Sequence, residues 1–463
     1  MTAPLWTASE IAAATGGTAS GDFAAAGVTF DSREVGSGDL FIALKGETTD
    51  GHRFLDSAYE RGAAGAVVNT AARHPHVLVA DTTAALDDLG RAARARTAAT
   101  IIGVTGSVGK TGTKEALFAA LDRPAPGGAH RSLKSYNNHT GVPLSLARMP
   151  RETRFGIFEM GMNHAGELAA LTRLVRPHIA IVTAIAPAHA AFFPDESAIA
   201  DAKGEIFEGL EPGGTAIIPY DSPHRDRLIG AATPHAARIV TFGLDQGADV
   251  VAIETMRTPT GGTFVTALLG DEELSYTLAQ PGAHWVSNSL AVLAAVQAAG
   301  GDLAMAGLAL AELGGLPGRG ARFIARVAGG DVLVIDESYN ANPASMRATL
   351  AVLAAEPAAR KLAVLGEMRE LGEASDAYHA DLAEPLLASG AEAVVLVGEA
   401  MASLATALEG RIELVHVPDA ATARDRLATM LAPGDVVLVK GSNGVGLASV
   451  IDALARGKLS CCI

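Results

Sequence analysis

Short apolar runs separated by turn residues fill the first part of the chain. Residues 28–30, 40–44, 66–68 and 76–79 have the length and content of strands, while 9–14 and 58–64 carry helical spacing. An Ala- and Arg-rich helix over 83–98 leads into an apolar run at 100–104. From there strands and helices alternate: 157–159, 179–183, 215–218 and 239–242 are continuously apolar, as strands buried on both faces of a parallel sheet are. Residues 249–278 alternate like strands without helices between them, which predicts an antiparallel extension. A second alternation runs through 332–335, 362–365, 393–397 and 436–439, and Pro317-Gly318 between the two series reads as a linker. The pattern predicts an α/β chain of three domains, at 1–83, 84–316 and 317–463. The central one has a parallel sheet and the C-terminal one is Rossmann-like.

Length and composition agree. The chain has 463 residues, enough for about three domains at roughly 150 residues each. Its 49% apolar and 19% charged content is that of a globular protein rather than a disordered one. Thirty-six Lys and Arg against 51 Asp and Glu leave a net charge of −15, and aromatics are only 5%, so neither a polyanion-binding face nor a base-stacking platform is expected. No nucleic acid partner follows. The cysteines are adjacent, Cys461 and Cys462, which excludes a disulfide framework and a cysteine-based metal site. The first basic residue is Arg33, unlike a signal peptide, and the most apolar stretch, 290–316, is broken by Gln297, Gly300, Gly301, Asp302 and Glu312. It predicts two Ala-rich helices rather than a membrane span. A cytoplasmic location is expected.

The clearest chemistry lies after the strand at 100–104. Thr105-Gly106-Ser107-Val108-Gly109-Lys110-Thr111-Gly112 runs from a strand into a helix, and its small residues let backbone N–H groups turn inward around phosphate oxygens. Lys110 would reach the β- and γ-phosphates, and the Thr111 hydroxyl would ligate Mg²⁺. The stricter phosphate-loop pattern wants a glycine where Val104 stands, so this is a Thr-Gly-x-x-Gly-Lys-Thr variant. Such a loop alone does not separate GTPase, kinase, motor and ligase. The chain has no Asn-Lys dipeptide, hence no guanine-reading motif, which favours ATP. Downstream, Glu159 ends an apolar strand, His189 sits in a loop after the next, and Lys203 lies beside acids on a helix. Glu159 and Thr111 fit one Mg²⁺, with His189 at a second. Taken singly, these three residues read more readily as a cap, a solvated histidine and a surface charge; their order behind a phosphate loop is what raises the functional reading.

Longer motifs carry a resemblance. Asp31-Ser32-Arg33, the stretch from Gly38 to Gly46 with Asp39, Lys45 and Asp50-Gly51-His52, the segment Ser135-Tyr136-Asn137-Asn138-His139-Thr140-Gly141-Val142-Pro143, and Glu159-Met160-Gly161-Met162-Asn163-His164 resemble the Mur ligases. So do Ala202-Lys203-Gly204-Glu205 and Asp336-Glu337-Ser338-Tyr339-Asn340-Ala341-Asn342-Pro343. The resemblance covers about residues 28 to 447 and favours the branch that adds a dipeptide. It implies a small N-terminal α/β domain binding the UDP end of the substrate, a central ATPase domain and a C-terminal ligase domain. The implied reaction is ATP-dependent joining of D-alanyl-D-alanine to UDP-N-acetylmuramoyl-tripeptide through an acyl phosphate, in a monomer.

The same resemblance implies roles. Thr105, Gly106, Ser107, Gly109, Lys110, Thr111 and Gly112 hold ATP; His284 and Asn288, at i and i+4, meet adenine; Arg319, Asp336 and Asn340 complete the nucleotide site. Thr111, Glu159, His189 and Lys203 surround two Mg²⁺ ions, Lys203 as a carbamate made from CO₂; with Lys110 they form the catalytic set. Ser32, Lys45, Asn137, Asn138, His139, Thr140, Tyr339 and Asn342 contact the other substrates. The residues at 336–342 read without the resemblance as a turn with helix capping. One departure concerns the turn Lys440-Gly441-Ser442-Asn443: the family has arginine in place of Asn443, so an expected anion contact lacks its residue. Other Mur ligases and folylpolyglutamate synthase share the ATP loop but not the stretch at 338–343. A regulator in which ATP drives closure without ligation would not need Glu159, His189 and Lys203. Closure about Pro317 is expected to assemble the site.

Overall fold

The computed structural model describes residues 3–46, 49–187 and 190–457. Three main sheets follow one another along the chain. The first has the spatial order Thr18–Ser20, His76–Leu78, Gly65–Val68, Asp39–Ile42, Gly27–Thr29, antiparallel only at its Thr18–Ser20 edge. The second has nine strands. Its parallel part, in order, is Val250–Arg257, Arg238–Gly243, Thr215–Pro219, Ile179–Val182, Thr100–Thr105, Phe155–Glu159 and Ala129–Arg131. The strands Thr263–Leu269 and Glu272–Leu278 add to it antiparallel, as the alternation at 249–278 predicts. The third sheet runs Ala321–Val327, Gly330–Glu337, Val436–Lys440, Lys361–Gly366, Ala393–Val397, Glu413–Val417, antiparallel only at its first strand.

Both faces of the second sheet are covered, which is why its central strands are apolar throughout. Helices Lys110–Asp122, Ala283–Ala298 and Leu303–Glu312 close one face over Ile102, Val104, Ile157 and Ile181. Helices Gly141–Ala147, Glu167–Val175, Glu196–Gly204 and Arg225–Ala232 close the other over Ile101, Phe158, Ala180 and Val182. The Ala-rich stretch at 290–316 belongs to two helices broken at Gly300 (φ +68°), and no described helix is long and apolar enough to cross a membrane.

The helix expected over 58–64 is displaced: it spans Leu55–Glu60, because Gly62 at φ +104° ends it in a left-handed turn and Ala64 N–H pairs with Asp39 O at 2.9 Å instead. The helix expected over 83–98 is Thr82–Ala95, started by Asp81, whose carboxylate accepts from Thr83 and Ala84 N–H. That helix and Gly141–Ala147 bury Leu86, Leu89, Leu144 and Ala147 in the core of the first sheet, which thereby shares helices with the second. Trp6 fastens the junction. It is 2% exposed, its indole N–H donates to Ala147 O at 2.8 Å, and the Arg96 guanidinium lies 3.7 Å over its ring.

Two outcomes follow. Trp6→Ala removes a buried ring at this junction and is expected to destabilise the chain by about 3–5 kcal/mol, read as a lowered urea midpoint. His130 bonds Ser145 O through Nε2 at 2.8 Å, and burial pushes its pKa from 6.5 down to about 4. Between those values the unfolded chain binds a proton that the folded chain refuses. Stability therefore falls as pH drops from 6.5 towards 4 and levels off below, by roughly 3 kcal/mol from this group. Urea titrations of His130→Gln across that window are expected to show a shallower fall.

Candidate active site

The strand Thr100–Thr105 ends in the phosphate loop and the helix Lys110–Asp122 begins there. Two glycines are required by their surroundings. Gly106 has φ +149° and a Cβ on it would stand 2.0 Å from Thr183 Oγ1; Gly109 has φ +86° and its Cβ would stand 2.7 Å from Asn288 Oδ1. Thr183 holds the loop from the next strand, its hydroxyl donating to Val108 O at 2.5 Å. Ser107 Oγ donates to Ala186 O at 2.9 Å. Lys110 folds back over the loop, Nζ donating to Gly106 O at 2.5 Å; burial draws its pKa down, Glu159 opposes this and Arg319 adds to it. Gly112 faces Trp285 closely enough that a Cβ would lie 3.0 Å from the indole.

Phe155–Glu159 pairs in register with Thr100–Thr105, which sets Glu159 beside the loop. Its carboxylate is 1% exposed. Oε2 accepts from Thr111 Oγ1 at 2.9 Å, Oε1 accepts from Asn137 Nδ2 at 2.8 Å, and Lys114 Nζ stands 3.6 Å from Oε2. A hard hydroxyl oxygen beside a carboxylate, at a helix N-terminus shaped for phosphate, is a donor set that fits Mg²⁺ with a nucleotide. No group of three or more His, Cys, Asp or Glu able to hold a metal occurs among the described residues, so such an ion would rely on Thr111, Glu159 and phosphate oxygens.

Lys203 projects from Glu196–Gly204 into the interior, 1% exposed, and no described acceptor pairs with it. Burial lowers its pKa well below 10.5 and Lys110 lowers it further, both favouring the neutral amine over the ammonium. His189 lies outside the described residues, as do Cys461 and Cys462.

The remaining predicted residues fall into three groups. Asn288 reaches the phosphate loop at Gly109, while His284, one turn earlier, has its pKa drawn down to about 4 by burial and then by Lys440 of the third sheet. Arg319 stacks 4.2 Å over the Tyr339 ring and is near enough to Lys110 to depress it, so the third sheet meets the phosphate loop here. Asp336 is engaged inward: Oδ2 accepts from Gly318 N–H at 2.7 Å and Oδ1 from Ser338 Oγ at 2.6 Å. Asn342 caps Pro343–Ala354 in a reciprocal pair with Ser345, and Asn340 offers its carbonyl to Lys440 Nζ at 3.0 Å. The capping reading of this segment thus describes two of its side chains. Asn138 Oδ1 likewise closes its turn on Gly141 N–H at 2.9 Å and Thr140 Oγ1 at 3.1 Å, with His139 exposed beside it.

The first sheet contributes at a distance. Ser32 is half-buried and Lys45 exposed, bridged by its backbone to Asp50. Two residues past Ser32, Glu34 pairs with Lys134 and accepts from Tyr136 Oη at 3.3 Å, which brings that loop to the segment bearing Asn137. Sequence reading missed Lys114. It is fully buried, donates to Lys134 O at 2.9 Å and lies 3.1 Å from Glu115. Its position one helical turn after Lys110 was the available signal.

Three family models match in order: the Mur ligase family catalytic domain over residues 25–100, the Mur ligase middle domain over 104–296 and the Mur ligase glutamate ligase domain over 321–443. The UDP-N-acetylmuramoyl-tripeptide–D-alanyl-D-alanine ligase of Escherichia coli K12 is 35% identical, covering 92% of this chain and 93% of its own. That of Bacillus subtilis 168 is 31% identical over 94% of each. Among solved structures, MurF from Acinetobacter baumannii superposes with a TM-score of 0.84 at 32% identity, over 97% of this chain and 99% of that one. MurF from Thermotoga maritima in complex with ADP gives 0.78 at 27% identity, over 93% and 97%. With its phosphate loop, buried Glu159 and three consecutive sheets, the chain belongs to the Mur ligase family.

Proposed function

We propose that this chain is an ATP-dependent amide ligase that joins D-alanyl-D-alanine to UDP-N-acetylmuramoyl-tripeptide in peptidoglycan precursor synthesis. The observation that carries this reading is the buried Glu159 carboxylate, bonded at once to Thr111 of the phosphate loop and to Asn137 of the motif at 135–143. One oxygen of the tripeptide's terminal carboxylate attacks the γ-phosphorus, the bond to the β-phosphate oxygen breaks, and ADP leaves. The dipeptide amine then attacks the acyl carbon, loses its proton, and phosphate departs as the acyl C–O bond breaks. A carboxylate is a poor electrophile, so activation is needed; bringing two anions together requires fixed positive charge and placement.

In this reading the loop from Thr105 to Gly112 cradles the phosphates with Lys110, and Thr111 and Glu159 hold the Mg²⁺, which when bound neutralises phosphate charge. His189 belongs to a second ion. His284, Asn288 and Arg319 flank the nucleoside, with Asp336 and Asn340 completing its site, Asp336 by fixing the backbone on either side of Arg319 and Asn340 by holding Lys440. Ser32 and Lys45 take the uridine diphosphate end; Asn137, Asn138, His139 and Thr140 face the peptide; Tyr339 and Asn342 line the dipeptide side. The neutral Lys203 amine is set up to add CO₂, forming an N–C bond and releasing one proton; the resulting carbamate places a negative charge where an ammonium would be repelled by a cation. The three units are 1–83, 84–316 and 317–463, acting as a cytoplasmic monomer.

Phosphate release from ATP and Mg²⁺ with UDP-muramoyl tripeptide is expected to depend on D-alanyl-D-alanine and to yield the pentapeptide. Release that follows a single amino acid on a shorter precursor would leave the ATP chemistry standing and overturn the dipeptide reading. Glu159→Gln keeps the shape and removes the charge; kcat is expected to fall by about two orders of magnitude or more, with the Mg²⁺ requirement shifted to higher concentration. Lys203→Arg cannot carry a carbamate. It is expected to lose activity and also the carbamate resonance that ¹³C-bicarbonate gives in the parent; a parent without that resonance counts against the carbamate.

A further inference from the structure

In the third sheet, Gly330–Glu337, Val436–Lys440 and Lys361–Gly366 lie side by side and parallel, so the loops leaving their carboxyl ends share one rim. The middle loop carries Asn443 and Gly444 where the family resemblance leads one to expect an arginine at 443. Arg369, from the neighbouring loop, covers that turn. Its backbone N–H donates to Ser442 Oγ at 3.0 Å, and its Nη1 lies 2.0 Å from the place a Cβ on Gly444 would take. The absence of a side chain at 444 is what admits the guanidinium. Nε faces Glu367 Oε1 at 3.4 Å, while Glu367 Oε2 accepts from Ala400 N–H at 3.4 Å. A tethered carboxylate thus orients the group by its Nε side, and no described acceptor takes Nη1 or Nη2. The side chain remains 53% exposed.

The same loop borders the second domain: Ala191 N–H donates to Glu370 O at 3.0 Å. Arg369 therefore stands at the cleft between the second and third domains. The other cations on this rim are engaged. Lys440 has a side chain 3% exposed, 3.7 Å from Glu337, and donates to Asn340 O; Arg319 is stacked on Tyr339 beside Lys110.

Resting on the ligase reading above, we infer that Arg369 is the specificity-determining cation for the incoming dipeptide, its Nη atoms taking the terminal carboxylate of D-alanyl-D-alanine. Only the dipeptide's amine reacts. Its carboxylate needs a partner that holds it away from the phosphorylated centre, and the one edge of the guanidinium left free, Nη1 with Nη2, matches a carboxylate bidentately. Asn443 on the adjoining turn carries no charge to compete with Arg369 for an anion.

Steady-state kinetics on the full chain test this. Arg369→Ala and Arg369→Lys are expected to raise KM for D-alanyl-D-alanine by about tenfold or more, the alanine variant further, with KM for ATP and for the UDP-tripeptide within about twofold. Gly444→Ala, which displaces the guanidinium but keeps it, is expected to give a smaller rise in the same parameter. With the dipeptide's carboxylate replaced by an amide, parent and Arg369→Ala should have equal KM. The double variant Arg369→Gly with Asn443→Arg is expected to recover discrimination between acid and amide. An unchanged dipeptide KM in Arg369→Ala, or equal acid-over-amide preference in parent and variant, overturns the inference while the ligase reading stands. A parent that forms no pentapeptide overturns that reading first.

Discussion

A carboxylate enclosed to 1% exposure must be met by donors on every side, and the geometry around Glu159 follows from that demand. Thr111, Asn137 and Lys114 come from a helix N-terminus, a loop and the next helical turn, and all converge on the two oxygens of one side chain. Lys114 extends the set by holding the carbonyl of Lys134, whose ammonium pairs with Glu34 beside Ser32. The first and second sheets are thus connected through polar atoms at the site as well as through Trp6 and the shared helices behind it. Without the anion at 159, the amide of Asn137 would lose its acceptor and Lys114 one of its two carboxylates. The phosphate loop would then lose the neighbour that fixes Thr111.

Lys203 presents the opposite situation: a buried cationic residue type with no described counter-charge, next to another lysine. Burial and the neighbouring Lys110 both weaken its hold on a proton, and an amine reacts with CO₂ through its neutral form. The phosphate loop and Lys203 therefore form one electrostatic unit, in which Glu159 offsets the burial of Lys110 and no described acid does so for Lys203.

The parallel strands Thr100–Thr105, Phe155–Glu159 and Ile179–Val182 were legible because burial on both faces leaves an unbroken apolar run. Several edge strands were not. Thr18–Ser20 is exposed along its length, and Ala321–Val327 and Glu413–Val417 have few buried positions, so no unbroken apolar run marks them. The phosphate loop was legible because glycines at 106 and 109 answer a steric requirement that no other residue meets. Lys114 was hidden for the reverse reason: a lysine on a helix reads as solvated, and only tertiary packing shows it enclosed. Asp336 and Asn342 stood out for residue type, yet their side chains turn to backbone amides, which spacing does not distinguish from a ligand.

The inward turn of Asp336 also fixes a mechanical property. Gly318 N–H is held by its carboxylate, Gly320 N–H by its carbonyl, and Tyr339 N–H by Gly318 O. From Gly318 to Gly320 the linker is therefore bonded into the third sheet, and Arg319 between them, stacked on Tyr339, is carried by the same bonds. A displacement of that sheet against the second would move the guanidinium beside Lys110 together with the strand behind it, so that charge at the phosphate loop and the position of the sheet are one variable rather than two.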